Sequence, residues 1–215
     1  MQDVLEQLKA GIRRFQTGVY PEQAEMYQRA ASEPQEPHTF FIACADSRIE
    51  PETITQTKAG ELCVLRNIGN MIPAYGEMMG GVSAVVEYAV SLVKVKHIVV
   101  CGHADCGAMK GLLAPESVSA LPAVKNWLTN ASAALGVAQA LGERHQGMPV
   151  ELIRRLTEQN VLLQIQHLRT HPSVAAAMAR QELTISAWVY EIGTGEVRIW
   201  EDEVRGFVPV SKQAE

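Results

Sequence analysis

Aromatic residues are scarce in this chain: Phe, Trp and Tyr together make up 6% of 215 residues. That argues against a ring-filled β-sandwich. Ala and Val supply much of the apolar volume, and at 47% hydrophobic the composition is ample for helices packed on a sheet. Basic clusters are lacking too. The net charge is −5 with Lys and Arg dispersed, so there is no electrostatic footprint for nucleic acid. Any positive charge that serves a small anion must be local. No 18 consecutive residues are apolar, so no membrane span or membrane partner is expected. The opening stretch MQDVLEQLKAGIRRF carries acids at once and has no apolar h-region. It does not read as a secretion signal, and a cytoplasmic location is expected. Cysteines are few: Cys44, Cys63, Cys101 and Cys106. In a reducing compartment this favours metal binding or catalysis over disulfides.

Residues 3–16 and 21–31 read as two helices broken by Pro21, with Val4, Leu5, Leu8, Ile12 and Phe15 on one stripe. A polar, proline-rich loop follows at 32–37. Three short apolar runs, 39–44, 61–67 and 97–102, read as buried parallel strands. Between the second and third, GGVSAVVEYAVSLVKV reads as a crossover helix with a small-residue face. Residues 121–181 are mostly helical, with an interruption near GERHQGMP. ELTISAWVYE and EVRIW, joined by IGTG, read as a late hairpin or edge addition. The order implies an α/β fold: a mostly parallel sheet flanked by helices, with an N-terminal helical arm and a C-terminal antiparallel edge hairpin. One domain is expected across 1–215, with the arm at 1–35 and the core at 36–215.

The chemistry gathers at strand ends, where α/β sheets place their sites. FFIACADSRIEP ends its apolar run on Cys44, followed by Asp46 and Arg48. The third strand runs into CGHADCGAMKG, with His103 and Cys106. Taken singly, a strand cysteine is usually a small core residue, and that reading holds for Cys63 and Cys101. If the first and third strands are neighbours, however, Cys44, His103 and Cys106 form a Cys₂His set for zinc with one position open, the catalytic pattern. Asp46 and Arg48 sharpen it. A bidentate guanidinium keeps the carboxylate ionised and aimed, either to orient a nucleophile or to ligate the zinc. Zinc lowers the pKa of bound water to roughly 7, and a small apolar-lined pocket beside it would suit carbon dioxide.

CADSRIEP, VLRNIGNMIPAYG, GGVSAVVEYAV and VVCGHADCGAMKGLL together resemble the β-class carbonic anhydrases, above all the plant-like and cyanate-operon-associated bacterial branch. HPSV at 171–174 and WVYEIGTGEV at 188–197 are similar to the same branch. The resemblance implies Cys44, His103 and Cys106 as zinc ligands, one Zn²⁺ per chain, and Asp46–Arg48 as the catalytic dyad. It implies Gln35 as a donor to substrate, and Cys63, Ile68 and Tyr88 as pocket residues, some of them supplied by a partner subunit. A homodimer is the implied minimum, with tetramers and octamers known in the branch. Cys63 stands where relatives commonly carry phenylalanine. Phe41 replaces the tryptophan that, near an arginine such as Arg66, builds a non-catalytic bicarbonate site in another branch. Asp46 is therefore expected to stay off the metal.

The expected activity is reversible hydration of carbon dioxide by zinc-hydroxide. Gln35 and backbone amides near Gly102–Gly107 would steady the developing oxyanion. No shuttle histidine stands out; His38, His97, His145, His167 and His171 read as surface or capping residues. Two rivals use the same residues: hydrolysis of carbonyl sulfide or carbon disulfide, and a non-enzymatic zinc-stabilised scaffold.

Overall fold

The computed structural model of the protein describes residues 3–77, 80–143 and 149–212. The chain divides into two compact units, Met1–Glu36 and Pro37–Glu215.

The first unit is helical: α1 (Val4–Arg14), α2 (Tyr20–Glu22) and α3 (Ala24–Ser32). Asp3 caps α1 by accepting from the Leu5 N–H. The expected break at Pro21 falls elsewhere. Phe15–Val19 winds as a π-turn, with Tyr20 N–H donating to Phe15 O, and leads straight into α2, where Pro21 sits in the first turn. The true break is Gln23, whose φ of −119° leaves the helical region. Phe15, Tyr20 and Tyr27 form a ring cluster.

The second unit is a six-stranded sheet flanked by helices. Its strands are β1 (Thr39–Cys44), β2 (Leu62–Asn67), β3 (His97–His103), β4 (Thr184–Tyr190), β5 (Val197–Glu201) and β6 (Gly206–Pro209), in the order β2-β1-β3-β4-β5-β6. β1 pairs in parallel with β2 and β3, and β3 with β4; β5 and β6 continue antiparallel. The expected C-terminal antiparallel hairpin is present as β4 and β5; β4 also pairs in parallel with β3, and β6, whose four residues are too short to show a period, forms the edge on that side, with β2 at the other. The helices are α4 (Pro51–Thr55), α5 (Gly81–Glu87), α6 (Gly107–Leu113), α7 (Pro122–Leu128), α8 (Ser132–Glu143), α9 (Pro149–Thr170) and α10 (Pro172–Ala179). The crossover helix α5 runs on through π-wound Tyr88–Val93.

Phe40, Ile42, Ile98 and Val100 face one large core with Val161, Ile165 and Leu168 of α9. Phe41, Ala43, Val99 and Cys101 face the other side. Burial on both faces explains why β1 and β3 read as continuous apolar runs. At Gly102, α9 lies directly on β3: a Cβ there would be 2.7 Å from Val161 Cγ2 and 3.0 Å from Thr157 Cγ2. That close approach sets the distance between helix and sheet one residue before His103.

Candidate active site

Cys44 ends β1 and His103 ends β3. The strands are neighbours in parallel, with Ala43 opposite Cys101, so both side chains emerge at one edge of the sheet. After His103 the chain turns through Asp105, at φ +60°, and Cys106 opens α6, its carbonyl accepting from Lys110 N–H. The potential ligand atoms of Cys44, His103 and Cys106 lie within 4.8 Å of one another, and all three residues are buried. Nδ1 of His103 is 2.8 Å from the Ala104 carbonyl. A carbonyl only accepts, so Nδ1 carries the proton and Nε2 presents a lone pair. That Nε2 is buried and, among the described residues, has no hydrogen-bond partner. An orphaned imidazole nitrogen facing two thiols is the expected shape of a metal ligand held by its outer hydrogen bond. The donor set fits zinc.

The two thiols share their charge unequally. Cys44 is drawn down to about 4, first by its hydrogen bond with Cys106, against the opposing effect of burial, and then by the Gly69 and Asp46 amides. Cys106 is pushed up, because it hydrogen-bonds a thiolate, is buried and feels the Cys44 charge. A divalent cation between them favours both as thiolates. Gly69 makes its contribution from φ +76°, where a Cβ would be 2.9 Å from Ala108 Cβ; glycine suits both the angle and the space.

Asp46 stands beside this cluster. Arg48 donates from Nε to Oδ1 at 2.9 Å, from Nη2 to Oδ2 at 2.7 Å, and from its backbone N–H to Oδ1 at 3.0 Å. This grip holds the Asp46 carboxyl well below the usual carboxylate range. Asp46 Oδ2 is 4.0 Å from His103 Nε2, too far for a hydrogen bond. Arg48 Nη1 also reaches Asp105 at 3.5 Å, and Asp105 is paired in turn with Lys110. Arg66 braces the β1 exit, donating to the carbonyls of Cys44 at 3.1 Å and Asp46 at 2.5 Å.

One face of α9 holds the segment that follows β2. Asn160 Nδ2 donates to Gly69 O, and Gln164 Oε1 accepts from Ile72 N–H. His167 Nδ1 meets Ile72 O, His171 Nε2 meets Pro73 O, and Thr170 accepts from Tyr75 N–H. Trp127 Nε1 donates to Ile68 O. The backbone that supplies the Gly69 amide is thus pinned from above. Sequence reading missed this set: the residues look like ordinary helix polars, and only the spacing of Asn160, Gln164 and His167 on one face of α9 hinted at a shared target. Asp105 and Lys110 were missed as well.

The structure brings Cys44, His103, Cys106, Asp46 and Arg48 together. Gly107 follows Cys106 directly, and Gly102 lies under α9. Ile68 is exposed beside the cluster's loop, and Tyr88 is exposed on the crossover segment. Cys63 lies opposite Phe40, four residues down β2 from the pair Cys44–Asn67, roughly 13 Å from the cluster's level; within one chain it is not part of the site. Burial raises the Cys63 thiol and pushes Cys101 up to about 12, as expected of neutral core thiols. Gln35 belongs to the N-terminal unit. Of the histidines, His171 is buried at the N-cap position of α10, which fits the capping side of the surface-or-capping reading; His145 falls outside the described residues.

The carbonic anhydrase family profile matches residues 39–197. The chain is 41% identical to a carbonic anhydrase of Pseudomonas aeruginosa over 216 aligned positions, covering all of this chain and 94% of that protein. It is 38% identical to carbonic anhydrase 1 of Escherichia coli O157:H7, covering 96% of this chain and 93% of that protein. Its fold superposes on the β-carbonic anhydrase CcaA with a TM-score of 0.91 at 35% identity, covering 96% of this chain and all of that one. A tetrameric β-carbonic anhydrase of Sordaria macrospora follows at 0.81 and 26%, covering 91% of this chain and 95% of that one. With the Cys-His-Cys cluster at the strand ends, these likenesses place the chain in the β class of the carbonic anhydrase family, enzymes whose general reaction is the hydration of carbon dioxide.

Proposed function

We propose that the protein hydrates carbon dioxide reversibly to bicarbonate and a proton, using one zinc ion held by Cys44, His103 and Cys106. The observation that carries this reading is the buried trio of ligand atoms within 4.8 Å, beside a carboxylate gripped by arginine. When bound, zinc supplies a Lewis acid that makes hydroxide available from water near neutral pH.

The chain's own residues do the rest. His103 keeps Nε2 unprotonated through its Nδ1 bond to Ala104 O. Asp46, ionised and fixed by Arg48, accepts the hydrogen bond of the attacking hydroxyl and points its lone pair at the carbon. Cys44, His103 and Cys106 would hold the zinc, while Arg48 grips both Asp46 oxygens and would keep that carboxylate as a hydrogen-bond acceptor beside it. Backbone amides between Gly102 and Gly107 steady the developing bicarbonate oxygen, and the family resemblance gives Gln35 the role of a donor to substrate. Cys63, Ile68 and Tyr88 line the apolar side of the pocket, with Cys63 supplied across a subunit boundary. The exposed stripe Val4, Leu5, Leu8 and Ile12 supports self-association, with a homodimer as the minimum and a tetramer, as in the Sordaria relatives, or an octamer built from it. The working site is the cytoplasm; among the described residues no helix is long and apolar enough to cross a membrane.

Stopped-flow hydration on protein of assayed zinc content tests this. Activity proportional to zinc, near one per chain, and lost in Asp46→Ala supports it. Full zinc without hydration overturns it.

A further inference from the structure

A second cleft opens at the far end of the sheet, between the α5 crossover segment and α10. Its volume is about 460 Å³, within the range of small-molecule sites. Lys96 immediately precedes β3, whereas His103 ends it; seven residues at about 3.3 Å each put roughly 23 Å between them. This cleft is therefore separate from the catalytic centre.

Its lining is rich in donors. Lys94, Lys96 and Arg180 face it with the hydroxyls of Ser91 and Ser173, over an apolar floor that includes Val90 and Val95. Glu182 is the one carboxylate in the lining, and it is taken by Arg180 at 2.8 Å. Among the described residues, Lys94 and Lys96 pair with no carboxylate, and the Ser91 and Ser173 hydroxyls have no hydrogen-bond partner. Two like charges share one concavity on a chain whose net charge is −5. Lys94 and Arg180 stand at helix C-termini, where a cation offsets the helix dipole. That accounts for each alone, but not for Lys96 or for the unpaired hydroxyls around the same space.

We propose that this cleft binds a small phosphate-bearing anion, with Lys94 and Lys96 neutralising the phosphate and Ser91 and Ser173 donating to its oxygens. Ammonium groups and hydroxyls recognise tetrahedral oxyanions by charge and hydrogen bonding together. A single phosphate leaves much of the volume empty, so an organic phosphate or an oligophosphate fits better than the free ion.

Calorimetric titration of the zinc-loaded protein with inorganic pyrophosphate, and separately with inorganic phosphate, tests this at low salt. The expected result is one pyrophosphate per chain, bound more tightly than phosphate and weakened as salt rises. The double variant Lys94→Asn/Lys96→Gln should weaken binding by about tenfold or more, the scale of a lost charge pair. Asparagine tolerates the left-handed φ of +63° at position 94. Ser173→Glu, which places a carboxylate in the cleft, should weaken it independently. Thermal unfolding of both variants reports whether they remain folded. Absence of binding by the wild type overturns the proposal, as does undiminished binding by folded variants, which would assign the anion to the zinc centre.

Discussion

Arg48 holds both carboxylate oxygens of Asp46, at 2.9 and 2.7 Å, and thereby keeps Oδ2 4.0 Å from the unpartnered Nε2 of His103. The fork of the guanidinium, not its charge alone, fixes that carboxylate. Arg48→Lys keeps the charge and loses the fork. The expected outcome is a drop in kcat/KM of about 10- to 100-fold, the usual cost of losing an outer partner at a metal site, with zinc content unchanged. Steady-state hydration with parallel metal analysis checks it. Loss of zinc in step with activity would instead make Arg48 a structural clamp.

Gln164 is fully buried and occupied on every side: Oε1 accepts from Ile72 N–H, and Nε2 donates to Asn130 O and Asn160 Oδ1. Gln164→Leu leaves the Ile72 amide and two acceptors unpaired in the interior. The expected loss is about 1–3 kcal/mol for each group that finds no water, read as a lower denaturant midpoint. Activity per folded molecule should also fall, because Asn160, which holds Gly69 O, loses its neighbour. Thr170→Val, which releases the Tyr75 amide and removes the hydroxyl bond to His167 O near the surface, should cost less on both measures.

Gly102→Ala tests the helix–sheet spacing. The added methyl would meet Val161 at 2.7 Å and Thr157 at 3.0 Å, and β3 cannot retreat because β1 and β4 hold it on both sides. Overpacking of this kind costs about 1–3 kcal/mol. Since His103 is the next residue, zinc affinity measured by competition with a chelator should weaken as well. A destabilised variant with unchanged zinc affinity would separate the spacing from the site.

The parts of this molecule that sequence could disclose are those in which one residue type has one good use. Cys44 and His103 sit at strand ends and Cys106 at the helix start that follows, where a thiol or imidazole has little packing purpose, and Asp46 and Arg48 follow at a spacing that closes a fork. The parallel strands were legible because burial on both faces removes alternation. What stayed hidden depends on partners far away in the chain. Asn160 and Gln164 are unremarkable until α9 lies over residues 69–75. Pro21 looked like a breaker because its place within a turn of helix is not written in its neighbours. β6 has only four half-buried residues, and it becomes a strand through pairing with β5. Cys63 posed a different difficulty: resemblance put it in the pocket, while the register puts it far down β2 from the site of its own chain.

The last expectation concerns acid. His97 opens β3 with both ring nitrogens engaged, Nδ1 with Thr184 Oγ1 at 2.6 Å and Nε2 with Ser186 Oγ at 2.8 Å. Burial, and secondarily the charge of His38, lower its pKa below the ordinary value. The unfolded chain, with His97 near its usual value of about 6.5, therefore takes up the proton first. By linkage, stability is fully present above about pH 6.5 and falls as pH drops from there towards the folded-state value. His97→Gln keeps polar atoms near both hydroxyls and cannot titrate, so its stability should decline less than that of the wild type between pH 7 and 5. His38→Gln removes the repelling neighbour, raises the folded-state value of His97 and should flatten the same decline in part. Urea unfolding midpoints across that range, at equal zinc occupancy, give the comparison. Parallel pH profiles for the wild type and His97→Gln would show that other groups carry the acid sensitivity.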